Sequence, residues 1–149
     1  MNDQYKNSYK ATAKELVSLS VYNVGYQLCD AGYQWGPGIR DHYLIHYVIS
    51  GKGTYEVNNE THFLSAEDAF LVYPNTEIIY RADAKTPWEY AWVGFTGSDA
   101  ATILQATDFS RKHPCIHAVP NGEEVKRQLL HIYAVSYTHL RAHETCADL

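Results

Sequence analysis

The sequence predicts a mainly β fold, an antiparallel jelly-roll barrel with one or two helices toward its C-terminal end. Three observations carry this. Short runs rich in β-branched and aromatic residues recur between residues 21 and 95. The segments between them are turn signals too short to hold the crossover helices of a parallel sheet. The hydrophobic period changes from strand-like to helical only after Thr96 and Gly97. Many short antiparallel strands manage their edges by closing into barrels or two-sheet jelly rolls.

Residues 1–20 read as an N-terminal arm, in which Ala11-Thr12-Ala13-Lys14-Glu15-Leu16-Val17 is weakly helical or irregular. Residues 21–29 form the first strand of the barrel, ended by Asp30-Ala31-Gly32, and Gly36-Pro37-Gly38 reads as a loop. Residues 43–49 are apolar on both faces, with Tyr43, Ile45, Tyr47 and Ile49 on one and Leu44, His46 and Val48 on the other, which predicts a central strand. Ser50-Gly51-Lys52-Gly53 supplies a tight turn, and Asn58-Asn59 another, because Asn tolerates left-handed backbone angles. Between those turns residues 54–57 return antiparallel, and strands follow at residues 61–64, 69–73, 78–82 and 89–95. Ser98 reads as the cap of a helix over residues 99–105 that turns Ile103 and Leu104 toward the barrel. Residues 115–119 are a last strand. Residues 123–134 carry Val125, Leu129, Leu130 and Tyr133 at helical spacing with acids in the first turn, an apolar stripe with no partner further along the chain.

At 149 residues the chain holds one domain's worth of core. With 46% hydrophobic and 19% charged residues it has the composition of a folded soluble protein. No run is apolar enough to span a bilayer, and the segment from Met1 to Lys6 lacks the apolar stretch of a secretory signal, so no membrane association and a cytoplasmic location are expected. A net charge of -5 without a Lys/Arg-dense stripe excludes nucleic acid as a direct partner of this segment. Cys29, Cys115 and Cys146 are spaced neither as a disulfide framework nor as a metal knuckle and read as isolated thiols. Thirteen tyrosines and three tryptophans supply flat apolar faces with polar edges, which suit a β-rich core and a ligand pocket alike.

The last fifteen residues do not fit the rest. Residues 135–145, Val-Ser-Tyr-Thr-His-Leu-Arg-Ala-His-Glu-Thr, resemble a one-frame translation of the transposase adapter used in short-read sequencing libraries. Residues 135–149 are therefore expected to be non-native, the natural sequence ending near Ala134 in mid-helix. The alternative is a helix that continues to a native C-terminus, since Leu140 and its charged neighbours suit a helix. His139 and His143 stand four apart like a helical metal pair, but within this tail they are not counted as a site.

Tyr43 to Thr54 resembles the first hairpin of the sensing domain of AraC-family transcription regulators, as does Leu64 to Pro74. Pro87-Trp88-Glu89-Tyr90-Ala91-Trp92-Val93-Gly94-Phe95-Thr96-Gly97 is similar to that family's strand before its first helix. The resemblance covers residues 21–134, with a departure at Glu67-Asp68, where the family usually has Gly-Asp. It implies a cupin-like barrel that binds a small effector, often a sugar, followed by dimerising helices and a two-part helix-turn-helix domain. Those last two parts are absent here, so DNA would be a partner only through a missing C-terminal domain, and a homodimer is expected of the full-length protein. By position Tyr80, Tyr90 and Trp92 match places where family members contact sugar. Tyr90 and Trp92, two apart, share a strand face and are either ligand contacts or ordinary core aromatics. His46 is a hydrogen-bond donor in the pocket or a core histidine, and Gln27 and Arg40 offer polar groups at the mouth, although Arg40 beside Asp41 also reads as a surface ion pair.

Two other functions compete with this one. A metal-dependent cupin enzyme, an isomerase or dioxygenase, needs a His-x-His pair and further ligands. The sequence has no His-x-His, and His42 and His46 would need Glu56 from the next strand. The other rival is a free-standing sugar-binding module. No catalytic grouping stands out, so neither an enzyme nor a cofactor or metal is expected.

Overall fold

In the computed structural model the chain forms two antiparallel sheets, described for the backbone of residues 6–10 and 18–148 and for the side chains of residues 18–136 and 138. One sheet contains β1 (Lys6–Lys10), β2 (Ser20–Leu28), β4 (Tyr43–Ser50), β7 (Ala69–Val72), β9 (Glu89–Thr96) and β10 (Cys115–Ile116), in the order β1-β2-β9-β4-β7-β10. The other contains β3 (Gln34–Ile39), β5 (Lys52–Val57), β6 (Glu60–Ser65) and β8 (Glu77–Ala82), in the order β3-β8-β5-β6. The chain passes back and forth between the two, and the apolar inner faces close on each other as a jelly roll.

Strand β4 lies between β9 and β7, the central place its two apolar faces require. Its inner residues Leu44 and Val48 join Tyr55, Phe70, Trp88 and Tyr90 in the barrel core. Its outer residue Tyr47 joins Ala69, Ala91 and Leu129, a second cluster outside the barrel. Helix α2 (Gly122–Asp148) supplies Leu129, and Val125 and Leu130 pack against the same cluster, so the stripe finds its partner in the outer face of the six-stranded sheet. The helix runs on without a break past Ala134. Among the described residues no helix is long and apolar enough to cross a membrane.

Several local expectations are corrected. Gly36, Pro37 and Gly38 lie within β3, not in a loop: Trp35 is opposite Tyr80 and Gly38 opposite Ile78, with a bulge between. Pro37 has no N–H to give to a ladder, and β3 is an edge strand, where that lack is tolerated. Lys6 to Lys10 is a strand paired with the free edge of β2, and residues 11–17, read as weakly helical, lie outside the described residues. Helix α1 (Ala100–Gln105) has Asp99, not Ser98, at its N-cap, with no side-chain capping bond. In so short a helix only Ala100 and Leu104, four apart, reach the interior, and Ile103 is exposed. Gly53 is not in the turn, which Gly51 forms at φ +73°. Gly53 sits in β5, where a Cβ would lie 2.5 Å from the Trp88 ring.

The turn before β7 forms without glycine. Glu67 takes φ +75°, in the left-handed region that costs an L-residue energy. Asp68 then fixes the turn: its Oδ2 accepts from the Ser65 amide at 2.8 Å and its Oδ1 from the Ala118 amide at 2.9 Å. Ala118 is itself left-handed, at φ +53°, which ends β10 at Ile116 instead of extending it to Val119.

Candidate functional site: a polar-mouthed cavity between the sheets

The register of three neighbouring strands lays out one wall of a cavity. On β2, β9 and β4 respectively, Gln27, Tyr90 and Val48 form one row, Gly25, Trp92 and His46 the next, and Asn23, Gly94 and Leu44 the third. Because each step along a strand is two residues, all nine positions share the inner face. Ala91 and Val93 alternate with Tyr90 and Trp92 and face α2 instead. Tyr80, from β8 in the opposite sheet, closes the far side. The cavity, open to solvent at its mouth, has a volume of about 500 Å³, within the usual range for small-molecule sites.

All six residues expected from the sequence, Gln27, Arg40, His46, Tyr80, Tyr90 and Trp92, line this one cavity. His46 is at its floor, 2% exposed, stacked on Phe70 at 4.5 Å and flanked by Tyr80, Tyr90 and Trp92 at 4.9, 4.8 and 5.7 Å. Tyr90 and Trp92 meet edge to face at 5.8 Å. This packing leaves His46 both a core residue and a cavity-lining one.

Arg40 does not behave as a surface residue paired with Asp41. Its Nη2 donates to the Tyr80 hydroxyl at 3.1 Å, and its guanidinium lies 3.8 Å above the Trp35 ring, which in turn stacks on Tyr80 at 5.5 Å. Burial pushes the Tyr80 phenol up to about 12, with the adjacent Arg40 charge opposing that shift. Tyr80 is therefore neutral near pH 7: its oxygen accepts from Arg40 and its own hydrogen is available to a ligand. Burial also raises the Tyr90 phenol well above its ordinary value, reinforced by Tyr80 and by the Cys29 thiol that Tyr90 meets. Asp41 instead bonds His42, Oδ1 to Nδ1 at 2.7 Å, and His42 stacks on Tyr22 at 4.1 Å on the rim.

Tyr22, Asn23, Tyr33, Ile39, His42 and Asn75 also line the cavity and were not read as ligand contacts from the sequence. Asn23 carried a usable signal, since it lies four residues before Gln27 on the same strand face. Ile39 and Asn75 reach the rim from segments without a periodic pattern, so only the tertiary fold reveals them. Among the described residues no three His, Cys, Asp or Glu side chains come together as a metal site. Glu56, the third ligand an enzyme reading would need, alternates with the inward Tyr55 and Val57 and so lies on the outer face of its sheet.

Residues 20–146 match the family model described as AraC-like ligand binding domain. The Msm operon regulatory protein of Streptococcus mutans is 42% identical over 97 residues, 65% of this chain and 35% of that protein. The raffinose operon transcriptional regulatory protein RafR of Pediococcus pentosaceus is 31% identical over 128 residues, 85% of this chain and 43% of that protein. The chain thus spans less than half the length of either relative. Among solved structures, the cupin domain of Schizosaccharomyces pombe Cnp3 superposes with a TM-score of 0.51 at 14% identity, over 73% of this chain and 76% of that one, a likeness of fold alone.

Proposed function

The chain belongs to the AraC-like ligand binding domain family, and from that premise we propose that it is the effector-sensing part of a sugar-responsive transcription regulator. The observation that carries this reading is the cavity, whose aromatic floor and polar mouth suit a carbohydrate. Tyr90 and Trp92 offer faces for the C–H side of a sugar ring, while Tyr80, Arg40, Gln27 and His46 offer hydrogen-bonding groups. The name of one regulator to which the chain is similar, the raffinose operon transcriptional regulatory protein, supports a sugar effector. On this reading the chain is a binding module and not an enzyme, it acts in the cytoplasm, and DNA binding and dimerisation belong to the full-length protein. We also propose that residues 135–149 are foreign to that protein, although the family match extends across most of them.

A route from ligand to output follows from strand alternation. Tyr90 and Trp92 face the cavity while Ala91 and Val93, on the same strand, face the cluster that seats α2. A ligand that favours one position of β9 thereby favours one seating of the helix, and only such differential affinity can drive a switch.

Thermal melts with raffinose, melibiose, lactose and galactose test the proposal. A ligand that binds only the folded state at about 100 times its Kd adds about 2.7 kcal/mol, a rise of roughly 5–10 °C. Trp92→Leu should abolish that rise. No shift with any of these sugars counts against a sugar effector.

A further inference from the structure

The cavity mouth holds an arrangement that a regular strand cannot make. Successive strand residues point to opposite faces, yet the consecutive Tyr22 and Asn23 both line the cavity. A bulge in the β2–β9 ladder allows this. Val21 is opposite Phe95 and Asn23 opposite Gly94, so Tyr22 is an extra residue on β2, and from Asn23 the regular alternation resumes through Gln27. Bulges of this kind re-aim side chains beside functional sites.

The opposite strand is shaped to receive Asn23. A Cβ on Gly94 would lie 2.4 Å from Asn23 Oδ1, 2.9 Å from His42 Cδ2 and 3.1 Å from Leu44 Cδ2. Any side chain at position 94 would displace the amide. There Asn23 Oδ1 is buried and accepts no hydrogen bond among the described residues. Arg40 Nε, on the same cavity, is also buried with no acceptor among them, while Nη2 is held by Tyr80. A buried acceptor and a buried donor without protein partners cost stability until another group meets them. A hydroxyl-bearing ligand has the chemistry to meet either, because a hydroxyl donates one hydrogen and accepts through its lone pairs.

We propose that Asn23 is a specificity-determining residue: its Oδ1 takes the hydrogen of an effector hydroxyl at the cavity mouth, Arg40 Nε donates to an oxygen of the same effector, and Gly94 keeps the position open. The inference rests on the carbohydrate reading and narrows it to a polyol with a free hydroxyl at the mouth.

Calorimetric titration of the intact chain tests this, with galactose, melibiose, raffinose and the monodeoxy galactoses as probes. The wild-type chain should bind galactose-containing sugars. Asn23→Ala should weaken that binding about 10-fold, the effect of one lost hydrogen bond to a buried group. Asn23→Asp, which keeps an acceptor at the same reach, should restore most of it. One monodeoxy galactose should lose about as much on the wild type and nothing further on Asn23→Ala, the coupling expected of a direct contact. Gly94→Ala should reproduce the loss in folded protein. Additive losses for every deoxy sugar, or unchanged binding by Asn23→Ala, overturn the proposal and leave the carbohydrate reading standing. Binding of none of these sugars by folded wild-type chain overturns both.

Discussion

Glu67 shows how a single residue is read from sequence and then priced by structure. The sequence marks a departure from Gly-Asp at this turn, and the structure shows Glu67 at φ +75° with an exposed side chain, its amide bonded to Val48 and its carbonyl to Val119. Glu67→Gly removes the left-handed strain and keeps both backbone bonds. After the added unfolded-state entropy of glycine, it should stabilise the chain by roughly 0.5–1 kcal/mol, or about 2–4 °C in the melting midpoint. An unchanged or lower midpoint would show that the Glu67 side chain contributes more than its backbone strain costs. The candidate site residues were legible to different degrees. Tyr90 and Trp92 declare a shared face by spacing alone. Arg40 did not declare its direction, because its neighbour in sequence, Asp41, is not its partner in space. Trp35 and Tyr80, which hold it, arrive from β3 and β8.

At the scale of elements, periodicity located the strands between residues 21 and 95, since each alternates or is apolar on both faces. It missed β3, where glycine and proline carry turn chemistry and only an edge position lets them pair. It also missed β1, whose pairing depends on the free edge of β2 and not on its own propensity. The stripe of α2 was legible, its partner was not. Leu129, buried against Tyr47, Ala69 and Ala91, is the centre of that contact. Leu129→Ala should cost about 2–4 kcal/mol by chemical denaturation. A cost within experimental error would mean that α2 is not seated on the sheet in solution.

For the molecule as a whole, the concentration of buried tyrosines predicts an alkaline limit to stability. Burial raises the phenols of Tyr55, Tyr80 and Tyr90, with Tyr80 near about 12. The folded state therefore holds these protons more tightly than the unfolded chain, whose tyrosines titrate near about 10. Their contribution is complete below about pH 10 and is lost as pH rises through the folded values. The melting midpoint should fall steeply between about pH 10 and 12, and part of the tyrosinate absorbance should appear only on unfolding. Titration of every tyrosine near about pH 10 with a flat midpoint would contradict the burial described. The amino-acid sequence by itself determined the β class, the central strand and the shared face of Tyr90 and Trp92, because these depend on periods of two and on turn residues that act over a few positions. Tertiary structure alone decided that Arg40 turns inward, that Tyr22 and Asn23 face the same cavity across a bulge, and that α2 seats on the outer sheet face. Those outcomes depend on which strands become neighbours, and pairing between residues far apart in the chain leaves no periodic mark in either strand.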